Sequence, residues 1–368
     1  MNIHGIPTRT IRPLAGHGGV EIIDQTVLPH RLAFRTLRTL DDAAEAISVM
    51  RVRGAPLIGA TAAYGIALAL AEEASEGRVA SACARLLGTR PTAVNLRWAL
   101  ERMQNRLAPL PAAQRCEAAW TEAAALCDED VVLNQSIGRH GMELIKWHHE
   151  QSPRTVNVMT HCNAGWLATV DWGTALAPVY TAFDAGVAVH VWVSETRPRN
   201  QGAALTAWEL AQHGVPHTVV ADNAAGHLMQ HGQVDLVIVG ADRAASNGDV
   251  ANKIGTYLKA LAARDNGVPF YVAVPGPTID WRLADGSGIP IEERAASEVT
   301  HIQGEAEAGG VMSVRLTPVQ SAAANPAFDV TPARLITGLI TERGVCSATH
   351  EGLTQRYPEA GANARRTA

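Results

Sequence analysis

Cys162 stands in the stretch TVNVMTHCNAGWLAT (155–169), directly after an apolar run and three residues ahead of Gly165. A thiol placed between the end of a strand and the start of a helix feels unpaired N–H groups and the positive end of the helix dipole. Both lower its pKa and favour the thiolate. The plainer alternative is a buried structural thiol, the commoner fate of a free cysteine. The neighbours His161, Asn163 and Gly165 move the reading toward chemistry. A carboxylic acid has a matching place: Asp242 follows the apolar run VDLVIVGA (234–241). An acid at the mouth of a buried strand is partly desolvated, which raises its pKa and suits it to general acid or base work; the alternative is a helix N-cap.

Groups able to hold an anion lie elsewhere in the chain. Arg51, Arg53 and Gly54 precede a Pro-initiated helix, so backbone N–H groups and guanidinium forks can converge on a phosphate. Asn252 and Lys253 read as the opening of a second helix whose N-terminus could do the same, with a surface lysine as the alternative. SETRPRNQG (194–202) packs Glu195, Arg197, Arg199 and Gln201 around a proline that cannot sit within a central strand. No G-x-G-x-x-G follows a predicted strand, and G-x-x-x-x-G-K-[ST], G-x-S-x-G and H-E-x-x-H do not occur. What remains is a phosphorylated small molecule, a thiol and a carboxyl.

The elements that must position these groups fall into two regimes. From about 40 to 150, apolar residues recur at three- and four-residue intervals, which predicts helices. The window PLIGATAAYGIALALA (56–71) is shorter than the roughly 20 residues of a membrane span and rich in Gly and Ala, so a close-packed buried helix explains it better. Ahead of this, GGVEIIDQTVLPHRLAFRTL (18–37) alternates apolar and polar residues and predicts a small sheet. After Pro153 the short apolar runs TVNVMT, VAVHVWV, HTVVA, VDLVIVGA and VPFYVAVP alternate with helix-like stretches. Strand-then-helix repetition at this spacing means a parallel sheet covered on both faces. The fold class is therefore α/β, with a mainly helical N-terminal domain (1–125) carrying a small sheet and a connecting helix (126–153). A Rossmann-like doubly wound domain (154–350) and a polar tail (351–368) follow. In such sheets ligands bind beyond the carboxyl ends of the strands, where Cys162 and Asp242 fall.

Composition narrows the function classes. With 47% hydrophobic and 18% charged residues the chain can bury a substantial core, and its 31 Lys and Arg are scattered within a net charge of −5. There is no basic stripe of the kind nucleic acid demands. Five cysteines without close pairs predict reduced thiols, and no apolar segment follows the basic residues near the N-terminus. A cytoplasmic protein without membrane or nucleic-acid partners is expected.

At this point the motifs carry a resemblance. RGAPLIGATAAYGIALAL, RPTAVNL, MTHCNAGWLAT, SETRPRNQGAALTAWEL, GADRAASNGDVANKIGTY and NPAFDVTPARLIT, spanning most of residues 20–345, resemble the methylthioribose-1-phosphate isomerase family of methionine salvage. That family shares its fold with regulatory subunits of the translation initiation factor exchange complex and with ribose-1,5-bisphosphate isomerases. The resemblance implies a homodimer of chains that each pack a helical domain on a Rossmann-like one. It implies Cys162 and Asp242 as the catalytic pair, and Arg53, Gly54, Ala55, Arg90, Gln201, Asn252 and Lys253 as substrate and phosphate contacts.

The implied chemistry suits this set. An aldose 1-phosphate has its anomeric oxygen esterified and cannot open to a free aldehyde, so the ring oxygen must be protonated while the bond to phosphate survives. Asp242, kept protonated by desolvation, would donate that proton, after which either a C2 proton is moved to C1 or a hydride shifts from C2 to C1. Cys162 is the base in the first route and orients and stabilises in the second. No metal or organic cofactor is called for, because arginines and helix N-termini supply counter-charge. Trp166, Trp172, Ala204 and Ala244 depart from the family's commoner pattern. The two indoles are expected to wall the cavity around the 5-substituent, which favours 5-methylthioribose 1-phosphate or 5-deoxyribose 1-phosphate. A ribose-1,5-bisphosphate isomerase would need a second basic site. A non-catalytic regulatory protein of the translation-factor type would have no use for both Cys162 and Asp242.

Overall fold

The computed structural model describes residues 1–90 and 93–360; positions 91 and 92 of the RPTAVNL segment and 361–368 of the expected tail lie outside the described residues. A short hairpin, β1 (Asn2–Ile3) and β2 (Ile6–Pro7), precedes an antiparallel sheet of β3 (Ile11–Pro13), β4 (Val20–Ile23) and β5 (Phe34–Leu37), where the alternating pattern predicts one. Five helices follow: α1 (Leu40–Ser48), α2 (Ala55–Glu72), α3 (Glu76–Leu87), α4 (Val94–Leu107) and α5 (Ala112–Gln151). Thr39 and Asp42 form a reciprocal capping box at the start of α1, which satisfies two of the N–H groups a helix start leaves orphaned. α2 is long and apolar enough to cross a membrane, yet almost all of it is enclosed by α1, α3, α4 and α5, as its small side chains allow.

α5 runs unbroken for 40 residues, about 60 Å at 1.5 Å per residue, straight through the expected boundary at 125/126. Its first half places Ala119, Trp120, Ala123, Leu126 and Cys127 in the helical core, and its second half places Ile137 and Ile145 in the core under the main sheet. One helix thus belongs to both cores and fixes one against the other.

The second half alternates strand and helix: β6 (Val156–His161), α6 (Ala177–Asp184), β7 (Val189–Ser194), α7 (Ala207–His213), β8 (His217–Val220), α8 (Ala225–Gln230) and β9 (Leu236–Val239). Then come β10 (Arg243–Ala245), β11 (Val250–Lys253), α9 (Thr256–Asp265), β12 (Phe270–Ala273), β13 (Ile279–Asp280), α10 (Ser297–Thr300), β14 (His301–Glu305) and β15 (Val311–Arg315). The last elements are β16 (Phe328–Thr331), β17 (Gly338–Thr341), β18 (Gly344–Cys346) and α11 (His350–Arg356). The main sheet has the order β18-β17-β12-β9-β6-β7-β8, all parallel except β18. This is the doubly wound arrangement that the apolar runs predict; β9 is buried along its whole length.

Two expectations are overturned. Asn252 and Lys253 do not open a helix. They end β11, which pairs with β16 and β10 in a second, four-stranded sheet, and α9 starts only at Thr256. The polar tail does not begin at 351 either: Thr349 caps α11, Leu353 and Tyr357 are buried in the core beneath the sheet, and Tyr357 Oη donates to Glu342 at 2.8 Å. Two buried anchors, Leu353 and Tyr357, hold that segment down.

Candidate active site

From β6 the chain lays β7 and β8 to one side, then returns to place β9, β12 and β17 on the other. The reversal between β6 and β9 leaves a crevice at their carboxyl ends, the place where open α/β sheets take ligands. A cleft opens there, lined by Arg53, Gly54 and Ala55 from the start of α2, Arg90, Cys162, Gln201, Asp242, and Asn252 and Lys253 from the end of β11. All nine residues that the resemblance implies as catalytic or contact residues line this one cleft.

Cys162 follows β6 with its backbone at φ +65°, a conformation costly for a residue with a side chain. Hydroxyls hold it there. Thr196 Oγ1 accepts the Cys162 N–H at 2.8 Å, and Thr206 Oγ1 donates to the Cys162 carbonyl at 2.7 Å. Thr196 is itself at φ +71°, and the N–H groups of Thr196 and Arg197 donate to the Asp222 carboxylate at 2.8 and 2.6 Å. The loop after β7 is thereby fixed as a support for the thiol.

The expected drop in thiol pKa does not occur. No α-helix starts behind Cys162, only a short 3₁₀ turn at Trp166–Ala168, and burial raises the thiol pKa against the opposing charges of Arg53 and Lys253. Cys162 rests as a protonated thiol. Asp242 is likewise raised by desolvation, with Lys253, Arg90 and Arg53 pulling the other way. It is not a helix N-cap: its N–H donates to the Ala251 carbonyl at 2.9 Å as the chain enters β10.

The cationic side is built in layers. Gly54, at φ +92°, passes so close to Ala168 that any Cβ would overlap it, and this close passage brings the N-terminus of α2 to the cleft. Arg53 donates through Nη1 to Asn163 Oδ1 and through Nη2 to the Asn163 carbonyl at 2.5 Å. Lys253 Nζ donates to the Ala327 carbonyl at 2.9 Å and lies 4.7 Å from the centre of the Phe328 ring; burial lowers its pKa. Arg51, by contrast, points away, paired with Asp24 at 2.5 Å and Glu45 at 2.9 Å.

Two buried polar atoms in the lining have no partner among the described residues, Arg90 Nε and Gln201 Oε1, a donor and an acceptor held ready for a ligand. Gln201 immediately precedes a π-helical turn, Gly202–Thr206, a local distortion common at functional sites.

The sequence reading missed Arg294, whose guanidinium lies between Glu292 and Glu298, each at 2.7 Å, with Arg90 on the other side of Glu292 at 2.9 Å. It also missed Met50, Pro275 and Phe328, which give the cleft its apolar lining. Trp166 and Trp172 do not line it. Trp166 is fully buried under the main sheet beside Trp208, and Trp172 packs against the helical core. Ala244 is buried within β10, and Ala204 borders a neighbouring groove.

Comparison with known proteins matches residues 51–348 to the initiation factor 2 subunit family. The methylthioribose-1-phosphate isomerase of Rhodospirillum rubrum is 63% identical over 366 residues, covering 98% of this chain and 94% of that protein. That of Paramagnetospirillum magneticum is 62% identical over 360 residues, covering 98% and 99%. The crystal structure of 5-methylthioribose 1-phosphate isomerase from Pyrococcus horikoshii OT3 superposes with a TM-score of 0.82 at 39% identity, over 96% of both chains. One described as translation initiation factor eIF-2B subunit delta from A. fulgidus does so at 0.78 and 39%, over 95% of this chain and 99% of that one.

Proposed function

We propose, from the premise that this chain belongs to the initiation factor 2 subunit family and to the methylthioribose-1-phosphate isomerases within it, that Cys162 and Asp242 perform its isomerisation. The activity is that of an aldose–ketose isomerase on a 5-substituted ribose 1-phosphate, methylthioribose 1-phosphate. The observation that supports this assignment of roles is the meeting of a thiol and a carboxyl from adjacent strand ends in one cleft whose remaining polar groups suit a phosphate.

The phosphate sits against the α2 N-terminus with Arg53, Arg90 and Lys253 around it, and its dianion favours the charged form of the buried lysine. Asp242, neutral before reaction, gives its proton to the ring oxygen as the C1–O4 bond breaks. A thiol that holds its proton is a poor base, and a bound dianion holds that proton more firmly still. A protonated thiol suits a hydride shift from C2 to C1, with the 2-hydroxyl proton passing to the Asp242 carboxylate and Cys162 packed against the migrating centre. The resulting ketose 1-phosphate balances without any added reagent.

Met50, Pro275 and Phe328 suit an apolar 5-substituent, and a terminal methyl in place of methylthiomethyl forfeits a small apolar burial, about 1 to 3 kcal/mol. We extend the reading to 5-deoxyribose 1-phosphate on that ground. A 5-phosphate is disfavoured, because the further cation, Arg294, is already matched by Glu292 and Glu298. A purely regulatory role has no use for the orphaned Arg90 Nε and Gln201 Oε1. A homodimeric, cytoplasmic enzyme belongs to the same proposal. Purified protein assayed with 5-methylthioribose 1-phosphate, 5-deoxyribose 1-phosphate and ribose 1,5-bisphosphate should turn over the first two. Turnover of the bisphosphate alone would overturn the substrate assignment.

A further inference from the structure

Glu209 lies in α7 within the apolar-looking run TAWEL and is fully buried, with no exposed surface. It does not line the cleft. Its Oε1 accepts from Asn163 Nδ2 at 2.9 Å and its Oε2 accepts from the Leu167 N–H at 3.1 Å. Gly165 leaves the space it fills: a Cβ there would overlap the carboxyl itself. Asn163 in turn accepts from Arg53 Nη1 through Oδ1. A guanidinium only donates, so the Asn163 amide must present its oxygen to Arg53 and its nitrogen to acceptors, Glu209 and, at 3.2 Å, Thr206 Oγ1.

We infer that Glu209 is a positioning residue for the isomerase, locking the Asn163 amide in the one orientation that aims Arg53 at the substrate phosphate. The inference rests on the proposed phosphate role of Arg53. The logic is one of acceptor count. As a carboxylate the side chain supplies two accepting oxygens, one for Leu167 and one for Asn163; an amide has one. In Glu209→Gln, the oxygen that serves the Leu167 N–H leaves an NH₂ facing the Asn163 NH₂. Asn163 then flips and turns its nitrogen toward Arg53.

The same count yields a rescue. When Asn163→Asp is combined with Glu209→Gln, the new amide oxygen in α7 accepts from Leu167 and the new amide nitrogen donates to the carboxylate introduced beside Arg53. That carboxylate still accepts from the guanidinium. Asn163→Asp alone sets two carboxyls against each other. Steady-state kinetics with 5-methylthioribose 1-phosphate, and competition by inorganic phosphate, test the scheme on the wild type, both single variants and the double variant, with thermal melting as a folding control. Loss of one charge-assisted hydrogen bond to Arg53 predicts that Glu209→Gln raises KM and the phosphate inhibition constant about tenfold or more, with kcat changed much less. The double variant should recover most of that loss. Glu209→Gln with wild-type KM, or a double variant no better than Glu209→Gln while melting normally, would overturn the inference. A wild type inactive on this substrate would instead strike the proposed function.

Discussion

Asp242→Asn keeps the volume and most of the shape of the side chain but removes the proton that the ring oxygen must receive. Loss of a positioned general acid costs about 10² to 10⁴ in rate, or about 2.7 to 5.4 kcal/mol at 1.36 kcal/mol per decade. The loss should fall on kcat, because the proposed phosphate contacts, Arg53, Arg90 and Lys253, are untouched. Stability should move the other way. The folded-state pKa of Asp242 is raised, chiefly by burial, so its contribution is fully present below the ordinary Asp value and is lost as pH rises through the folded pKa. At neutral pH the carboxyl is a net cost to folding, and an amide relieves it. A coupled assay and a thermal melt on the same preparation should therefore show an inactive protein that melts no lower than the wild type at pH 7. In the wild type, kcat/KM should decline as pH rises through the raised Asp242 pKa. A variant within threefold of wild-type kcat, or one inactive only because it has unfolded, would refute the reasoning.

Isomerisation of substrate deuterated at C2 should deliver the deuterium to C1 of the ketose; extensive washout into solvent, read by mass spectrometry, would favour a thiolate base instead. Because burial holds the Cys162 thiol above its ordinary pKa, alkylation by iodoacetamide, scored against Cys162→Ser as background, should be slow at pH 7, accelerate at higher pH and be blocked by substrate. Gly54→Ala forces a Cβ into Ala168 at φ +92° and should cost at least about 2 kcal/mol in urea unfolding, with phosphate affinity lost as well. Trp172→Ala should leave the ratio of rates on the methylthio and deoxy substrates unchanged, since the indole packs on the helical core and not on the cleft.

The main sheet was legible because its strands are short, the central ones are buried on both faces, and helical stretches separate them, a pattern that local residues write plainly. The placement of Cys162 and Asp242 followed from strand ends alone, and their convergence from the switch-point rule together with the motif resemblance. The thiol's protonation was not legible. A strand end tells nothing of burial depth, nor that a 3₁₀ turn instead of an α-helix follows. Asn252 and Lys253 were misplaced because β11 takes its partner, β16, from more than seventy residues away, a pairing no local pattern records. Glu209 hides as one acid in an apolar helix, and only the bulk missing from Gly165 reveals the space made for it. The indoles of Trp166 and Trp172 were assigned to the cleft by proximity in sequence; the chain turns them into the two cores instead.

The most direct test is a crystal structure of the wild-type protein with the ketose 1-phosphate product. The phosphate should lie on the N–H groups opening α2 with Arg53 and Lys253 against it. C1 and C2 should lie between the Cys162 sulfur and the Asp242 carboxyl, and the 4-hydroxyl within hydrogen-bonding distance of that carboxyl. A sugar bound elsewhere in the cleft, with either group out of contact with those carbons, would contradict the account.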